Sequence, residues 1–288
     1  MSNQFWRHAV LPLAALLAGC TPSLRVMTFN VRYASDVAPN QWAQRRPVMI
    51  GLIEQVHPDL IGTQELLLRQ GDDLVAGLPQ YRWFGRDRHG GHTDEHMAIF
   101  YRPDRLRIVE RGDFWLSDTP EIVGSMSWGT DLARMANWAI FETRARSPRR
   151  FLFVDTHLPH RDQDEDARRR AAELIVTRLQ RIAKGLPVIL AGDMNAVPSS
   201  STYATLSAAL TDARQAGAGR RRGPANTFHD FTGVPDRRID YLFLRGVHAT
   251  EVETSTIHKN ATYPSDHFPV WAKLAFDRRT PEPPTVAK

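Results

Sequence analysis

Apolar runs of strand length recur from one end of the chain to the other. The clearest are Leu24 to Asn30, Leu60 to Gln64, Met97 to Tyr101, Asn137 to Thr143, Phe151 to Thr156, Val188 to Ala191, Tyr241 to Leu244 and Phe268 to Phe276. Two stretches carry a helical period instead. Arg46 to Val56 places Met49, Ile50, Ile53 and Val56 on one face, and Glu165 to Ala183 does the same with Ala167, Ala171, Leu174, Ile175, Leu179 and Ile182. Asp162, Asp164, Glu165 and Asp166 crowd the start of the second helix, where negative charge complements the dipole. There is no internal repeat and no Gly/Ser linker, so the pattern predicts one domain of sheets covered by helices. The proline-bearing stretch Asp277 to Lys288 reads as a loose tail. Arg220-Arg221-Arg222-Gly223-Pro224 reads as a solvated loop, with phosphate binding as the alternative.

Composition narrows the class. A chain of 288 residues, 42% hydrophobic and 24% charged, is a folded globular protein and neither a disordered nor a collagen-like one. One cysteine excludes an intramolecular disulfide. The net charge of +5 is too thinly spread to identify a polyanionic partner. That cysteine stands in a telling place. Arg7 precedes an apolar run from Ala9 to Ala18, too short to span a bilayer but of the size of a secretory h-region, and Leu17-Ala18-Gly19-Cys20 resembles the bacterial lipobox. Residues 1–20 are therefore expected to be a lipoprotein signal peptide, with Cys20 lipidated and residues 21–276 forming the domain, against the alternative of an ordinary signal peptide. The expected location is the bacterial cell envelope, with the protein held to a membrane by its acylated end, as a monomer.

The places where apolar runs stop carry the chemistry. The first ends at Asn30 and the second at Gln64-Glu65. Phe151 to Asp155 leads into Thr156-His157, Val188 to Gly192 into Asp193-Met194-Asn195, and Ser265-Asp266-His267 opens into Phe268-Pro269-Val270. One polar strand end is ordinarily a turn or a cap; five, drawn from Asn, Glu, Asp and His, suggest convergence. Carboxylate and amide oxygens suit Mg²⁺ or Mn²⁺, and His157 with His267 leaves a His-carboxylate zinc site as second choice. A hard cation beside a His-Asp pair is equipment for phosphoester hydrolysis.

Taken in order, Thr28-Phe29-Asn30, Gln64-Glu65, Thr156-His157-Leu158, Gly192-Asp193-Met194-Asn195, Arg238-Ile239-Asp240-Tyr241 and Ser265-Asp266-His267-Phe268-Pro269 resemble the motifs of the endonuclease/exonuclease/phosphatase superfamily. The resemblance spans Leu24 to about Phe276. It implies a four-layer α/β sandwich, DNase I-like, with two facing and mostly antiparallel sheets. Asn30-Val31-Arg32-Tyr33, Glu95 to Arg102, and Trp128 with Arg134 to Trp138 lie nearer the CCR4/nocturnin-like branch and its bacterial relatives.

By that resemblance Glu65 is the principal Mg²⁺ ligand, with Asn30 beside it and Asp266 as a further ligand or its support. Asp193 orients or deprotonates the attacking water, and Asn195 binds the scissile phosphate. His267 contacts the phosphate or moves a proton while Asp240 fixes it, and His157 donates to a phosphoryl oxygen. Arg134 and Arg32 are candidate phosphate clamps, with a structural ion pair as the equal alternative, and His160 and Arg168 are weaker ones; Trp42, Trp128 and Trp138 suit stacking on a base or sugar, though core packing is the expected role for most of them. In the apurinic-endonuclease branch Asn-x-Asp follows the first strand. Here the third position is Arg32, which argues against that branch and against a second metal. The expected substrate is a phosphoester: nucleic acid or a nucleotide (with 3′–5′ exonuclease action as one form), a phospholipid headgroup, or a sugar phosphate. The rival from another class is a catalytically dead envelope binding protein.

Overall fold

The computed structural model describes residues 23–215 and 219–278. The expected signal peptide, Cys20 and residues 279–288 of the expected tail lie outside the described residues. In chain order the elements are β1 (Ser23–Asn30), α1 (Trp42–Val56), β2 (Leu60–Leu66), α2 (Leu68–Gly77), β3 (Arg82–Asp87), β4 (His96–Tyr101), β5 (Leu106–Trp115), β6 (Met135–Thr143) and β7 (Arg150–His157). There follow α3 (Glu165–Ala183), β8 (Val188–Asp193), α4 (Ser201–Ala209), β9 (Thr211–Asp212), β10 (Arg220–Arg222), β11 (Asp240–Arg245), β12 (Val247–Thr254) and β13 (Val270–Phe276).

The strands form two sheets, one ordered β10-β12-β13-β1-β2-β4-β3 and the other β5-β6-β7-β8-β11-β9. Among the described residues, three large apolar clusters and a small one around Trp115 tie the layers together. Between the sheets, Val26, Leu60 and Ile99 meet Phe141, Phe153 and Ile189. Under α1 and α2 lie Met27, Phe29 and Ile61; under α3 and α4 lie Leu152, Val154 and Leu190. The result is the four-layer sandwich that the strand-rich pattern and the family resemblance imply.

The differences from the sequence reading have local causes. The first helix begins at Trp42 rather than Arg46, so Pro47 lies inside it; the carbonyl deprived of its donor belongs to Ala43, which is exposed to solvent. The last strand starts at Val270 rather than Phe268. Helix α2 carries Gly71, a poor helix former, because a Cβ there would stand 2.5 Å from the Trp83 ring. Arg220–Arg222 is not a loop: it is an edge strand parallel to β12, with Arg222 paired to Glu251 at 3.2 Å.

One buried carboxyl sits between the sheets. Asp155 on β7 faces Gly62 on β2, whose Cβ would come within 2.4 Å of its Oδ1. Gln64 donates to that oxygen at 2.6 Å, and Oδ2 has no partner among the described residues. Burial raises the carboxyl well above its ordinary range, against the opposing hydrogen bonds of Gln64, Thr156 and Thr63. A carboxyl raised in this way contributes stability below the unfolded value, and that contribution is lost as pH climbs toward the folded one. Asp155→Asn is therefore expected to melt about 3 °C or more above wild type at pH 8 and to converge with it near pH 4. Thermal melts at the two pH values check this, and an equal or lower melting point at pH 8 contradicts it.

Candidate active site

Strand direction gathers the site. β1 runs parallel to β2 and β7 parallel to β8, so Asn30, Glu65, His157 and Asp193 all stand at strand C-terminal ends. β11 and β13 run antiparallel to β8 and β1, which brings the N-terminal ends of β11 and β13 to the same rim. Asp240 is thus in register with Asp193, and His267 lies three residues before Val270.

Two devices aim side chains that plain strands would misdirect. Between Thr63 and Leu66 the pairing of β2 with β4 slips, and Glu65 sits there with φ 59°. That bulge lets Gln64 point between the sheets while Glu65 turns to the rim. Arg32 at φ 52° and Asn195 at φ 45° share the left-handed conformation. Such strain in non-glycine residues, about 1 kcal/mol or more each, collects where function over-determines the backbone.

The network is continuous. Asn30 Nδ2 donates to Glu65 Oε1 at 2.9 Å and to Asp193 Oδ2 at 3.0 Å, while its Oδ1 accepts from the Arg32 backbone. The Asn195 backbone donates to Asp193 Oδ1 at 2.9 Å, and Asn195 Nδ2 donates to the Leu158 carbonyl. His157 Nε2 is 3.5 Å and His267 Nε2 3.9 Å from Asp193 Oδ2. His267 Nδ1 meets Asp240 Oδ2 at 2.9 Å. Arg32 lies between Glu65 Oε2 at 3.5 Å and Asp266 Oδ2 at 3.6 Å.

Burial and neighbouring charges divide the protons. Burial, then the Asp240 charge, raises Asp193 to about 7, with His267 pulling the other way. Burial opposes charge on His267, yet Asp240, Asp193 and Asp266 outweigh it and hold the ring at about 10. His157 is driven well below its ordinary range by burial, then by Arg134 and Arg88, and is neutral. The rim therefore holds one imidazolium braced by a carboxylate, one neutral imidazole, and a carboxyl poised near neutrality.

A cavity of about 300 Å³ opens over this network, lined by Arg32, Tyr33, Glu65, Arg88, Glu95, Arg134, His157, His160, Asp193, Asn195, Phe228, Asp266 and His267 among others. Hollows of about 470 and 540 Å³ exist elsewhere, the first around Trp83, Arg86 and Arg111 and the second along the α3 arginines. The first offers one histidine and one carboxylate, His92 and Asp113, and the second carboxylates without a histidine, so chemistry rather than volume marks the smaller one.

All eight residues read from the sequence as catalytic or metal-binding meet in this network, and Arg32, Arg134 and His160 line its wall. Two candidate roles fall away, the Arg168 clamp and stacking by the tryptophans. Arg168 is turned away, donating to the Pro159 and Arg161 carbonyls. Trp42, Trp128 and Trp138 do not line the cavity: Trp42 packs under the first sheet, and the other two pack against the core beneath α3. The aromatic rings in the wall are Tyr33 and Phe228. The sequence reading also missed Arg88 and Arg45. Fully buried Arg45 donates five hydrogen bonds to five carbonyls, those of Asn40, Val31, Pro264, Arg32 and Tyr33. It thereby ties the segment after Asn30 to the segment before Ser265. A charged residue one turn after Trp42 and one turn before Met49 was the available signal.

Comparison with known proteins agrees with this geometry. The profile of the Endonuclease/Exonuclease/phosphatase family matches residues 27–267. A crystal structure of a protein of that family from Bacteroides thetaiotaomicron is 33% identical, with a TM-score of 0.84 over 89% of this chain and 99% of that one. A mannosyl-6-phosphatase of the same organism is 33% identical, with a TM-score of 0.83 over 88% of this chain and 100% of that one. Uncharacterized protein L388 of Acanthamoeba polyphaga mimivirus is 29% identical over 164 residues, 54% of this chain and 59% of that one. Carbon catabolite repressor protein 4 homolog 3 of Arabidopsis thaliana is 22% identical over 168 residues, 57% of this chain and 35% of its own length. The chain spans between about a third and three fifths of the curated relatives it matches.

Proposed function

We propose, from the premise that this chain belongs to the Endonuclease/Exonuclease/phosphatase family, that it is a Mg²⁺-dependent phosphoester hydrolase of the bacterial envelope, exported and lipid-anchored through Cys20. The single observation that carries the catalytic reading is the hydrogen-bonded line from Glu65 through Asn30 to Asp193, with His267 and Asp240 beyond it.

The donor set fits a hard divalent ion. Two carboxylates, Glu65 and Asp266, face one positive group, the Arg32 guanidinium, and Asn30 holds Glu65 in place. Asp193, Asp240 and His267 also bring ligand atoms within 4.8 Å of one another. There, however, the imidazolium already answers the carboxylates, so Glu65 and Asp266, with Asn30 beside them, would hold the ion. When bound, such an ion neutralises phosphoryl charge and makes a nearby water easier to deprotonate.

The remaining work falls to the chain's own groups. Asp193, near neutrality in its proton affinity, takes the proton of the attacking water. His267, protonated and fixed by Asp240, presents Nε2–H to a phosphoryl oxygen. Neutral His157 and the Asn195 amide flank the same oxygens. The modest net charge weighs against a long nucleic-acid track, and the mannosyl-6-phosphatase among the similar structures makes sugar phosphates a class to test first.

The test is an assay of purified residues 21–288 against p-nitrophenyl phosphate, bis-p-nitrophenyl phosphate, a hexose 6-phosphate, short RNA and sphingomyelin. Turnover of at least one ester with Mg²⁺ or Mn²⁺, abolished by EDTA, is expected. No turnover with any divalent ion contradicts the reading and leaves a binding protein.

A further inference from the structure

The reaction cavity contains a buried cation with no carboxylate at ion-pair distance among the described residues. Arg134, 5% exposed, lines the wall. Its Nη2 meets His160 Nδ1 at 3.2 Å, while Nε and Nη1 have no partner. Among the described residues Arg134 forms no ion pair within 4.0 Å. Other cations of the cavity are matched: Arg32 by Glu65 and Asp266, Arg88 by Glu95, and His267 by Asp240. Arg88 stands near enough to make matters worse. Burial first, and then the Arg88 charge, lowers Arg134 to about 10 against the pull of the more distant Glu95, Asp193 and Glu65, which leaves it a cation at neutral pH.

A charge removed from water without a counter-ion is costly, and a fold that keeps one beside its reacting groups points to an arriving anion. In the hydrolase reading a divalent ion beside Glu65 and Asp266, and His267 beside Asp240, would face the two free oxygens that either ester presents. A monoester carries close to two negative charges near neutral pH where a diester carries one, and its added charge falls on a third oxygen that a diester has esterified, where a further cation of the wall can meet it.

We propose that Arg134 binds the second negative charge of a phosphomonoester, so that the site selects monoester dianions over diesters. This rests on the phosphoester-hydrolase reading above.

Two measurements on the full domain test the proposal independently. The first is the ratio of kcat/KM for p-nitrophenyl phosphate to that for bis-p-nitrophenyl phosphate in wild type, Arg134→Gln and Arg134→Lys. The ratio is expected to fall roughly 10- to 100-fold in Arg134→Gln, the scale of a lost charge-assisted hydrogen bond, and to be largely retained in Arg134→Lys. The second is calorimetric binding of inorganic phosphate and of dimethyl phosphate, together with melting temperatures without anion. Wild type is expected to prefer inorganic phosphate, and Arg134→Gln to lose that preference without melting lower. An unchanged ratio and an unchanged anion preference overturn the proposal. So does a variant that melts lower and loses both anions equally, since Arg134 is then structural. If wild type hydrolyses neither ester yet prefers inorganic phosphate through Arg134, the subsite stands and the hydrolase reading falls.

Discussion

Asp193→Asn is expected to lower kcat by roughly 10³-fold, the upper part of the range for losing a general base, while the protein folds as before. Asparagine keeps the size of the side chain and, with its single oxygen, still accepts one of the two bonds that Asp193 receives on separate oxygens from the Asn195 backbone and from Asn30. What it cannot do is take a proton. The stability prediction runs in the opposite direction to the activity. Because Asp193 is raised to about 7, the folded state holds its proton where the unfolded chain has released it. Its contribution to stability is therefore present below the ordinary carboxylate range and lost as pH rises through about 7. Above pH 7 the asparagine variant should melt at or above the wild-type temperature. An inactive enzyme that is no less stable is the signature of a catalytic group; a variant that is active, or inactive only because it unfolds, contradicts the role.

Arg45→Met should act through structure and cost far more stability than a change at Asp193, Arg134 or Asp155. Five N–H groups donate to five carbonyls, and removal strands those carbonyls in a buried place. Unsatisfied buried polar groups cost about 1–3 kcal/mol each before relaxation, and a total of about 3–5 kcal/mol places this variant in the extreme tail of point mutations. For a domain of this size that lowers the melting temperature by roughly 10 °C. The same bonds hold Val31, Arg32 and Tyr33 against Pro264, so the Asn30 and Asp266 sides of the site should separate and kcat should fall as well. Arg45→Lys, with fewer donors in a different geometry, is expected to lie between the two. A methionine variant with wild-type melting temperature and activity would show that these bonds do not hold the rim together.

Much of this site was legible in the sequence because its residues stand at the ends of apolar runs, Asn30, Glu65, His157 and Asp193 closing theirs and Asp240 and His267 opening theirs, and strand ends on one rim of a sandwich converge by topology. Asn30, Glu65, His157 and Asp193 could be found without knowing how the strands pair. Glu65 was legible only as a residue type: the bulge that turns it outward depends on pairing with β4, which no local pattern reveals. Arg45 was hidden by the misplaced helix start, since a helix read from Arg46 excludes the residue whose burial matters. Arg88 follows β3, a strand with mixed polarity and partial exposure, and nothing local marks it as buried. The tryptophans take the packing role expected of most of them. Their rings suit stacking and packing, and only the tertiary structure decides between the two.

The central claim is that Glu65, Asp193 and His267 serve a single ion-assisted site. Calorimetric titration of metal-free protein with Mn²⁺, in wild type and in Glu65→Gln, tests it most directly. The predicted result is one equivalent bound by wild type, with the Arg32 guanidinium in place of a second ion, and an affinity at least about 100-fold weaker in the variant. Equal affinity in the two proteins, or two equivalents in wild type, would contradict it.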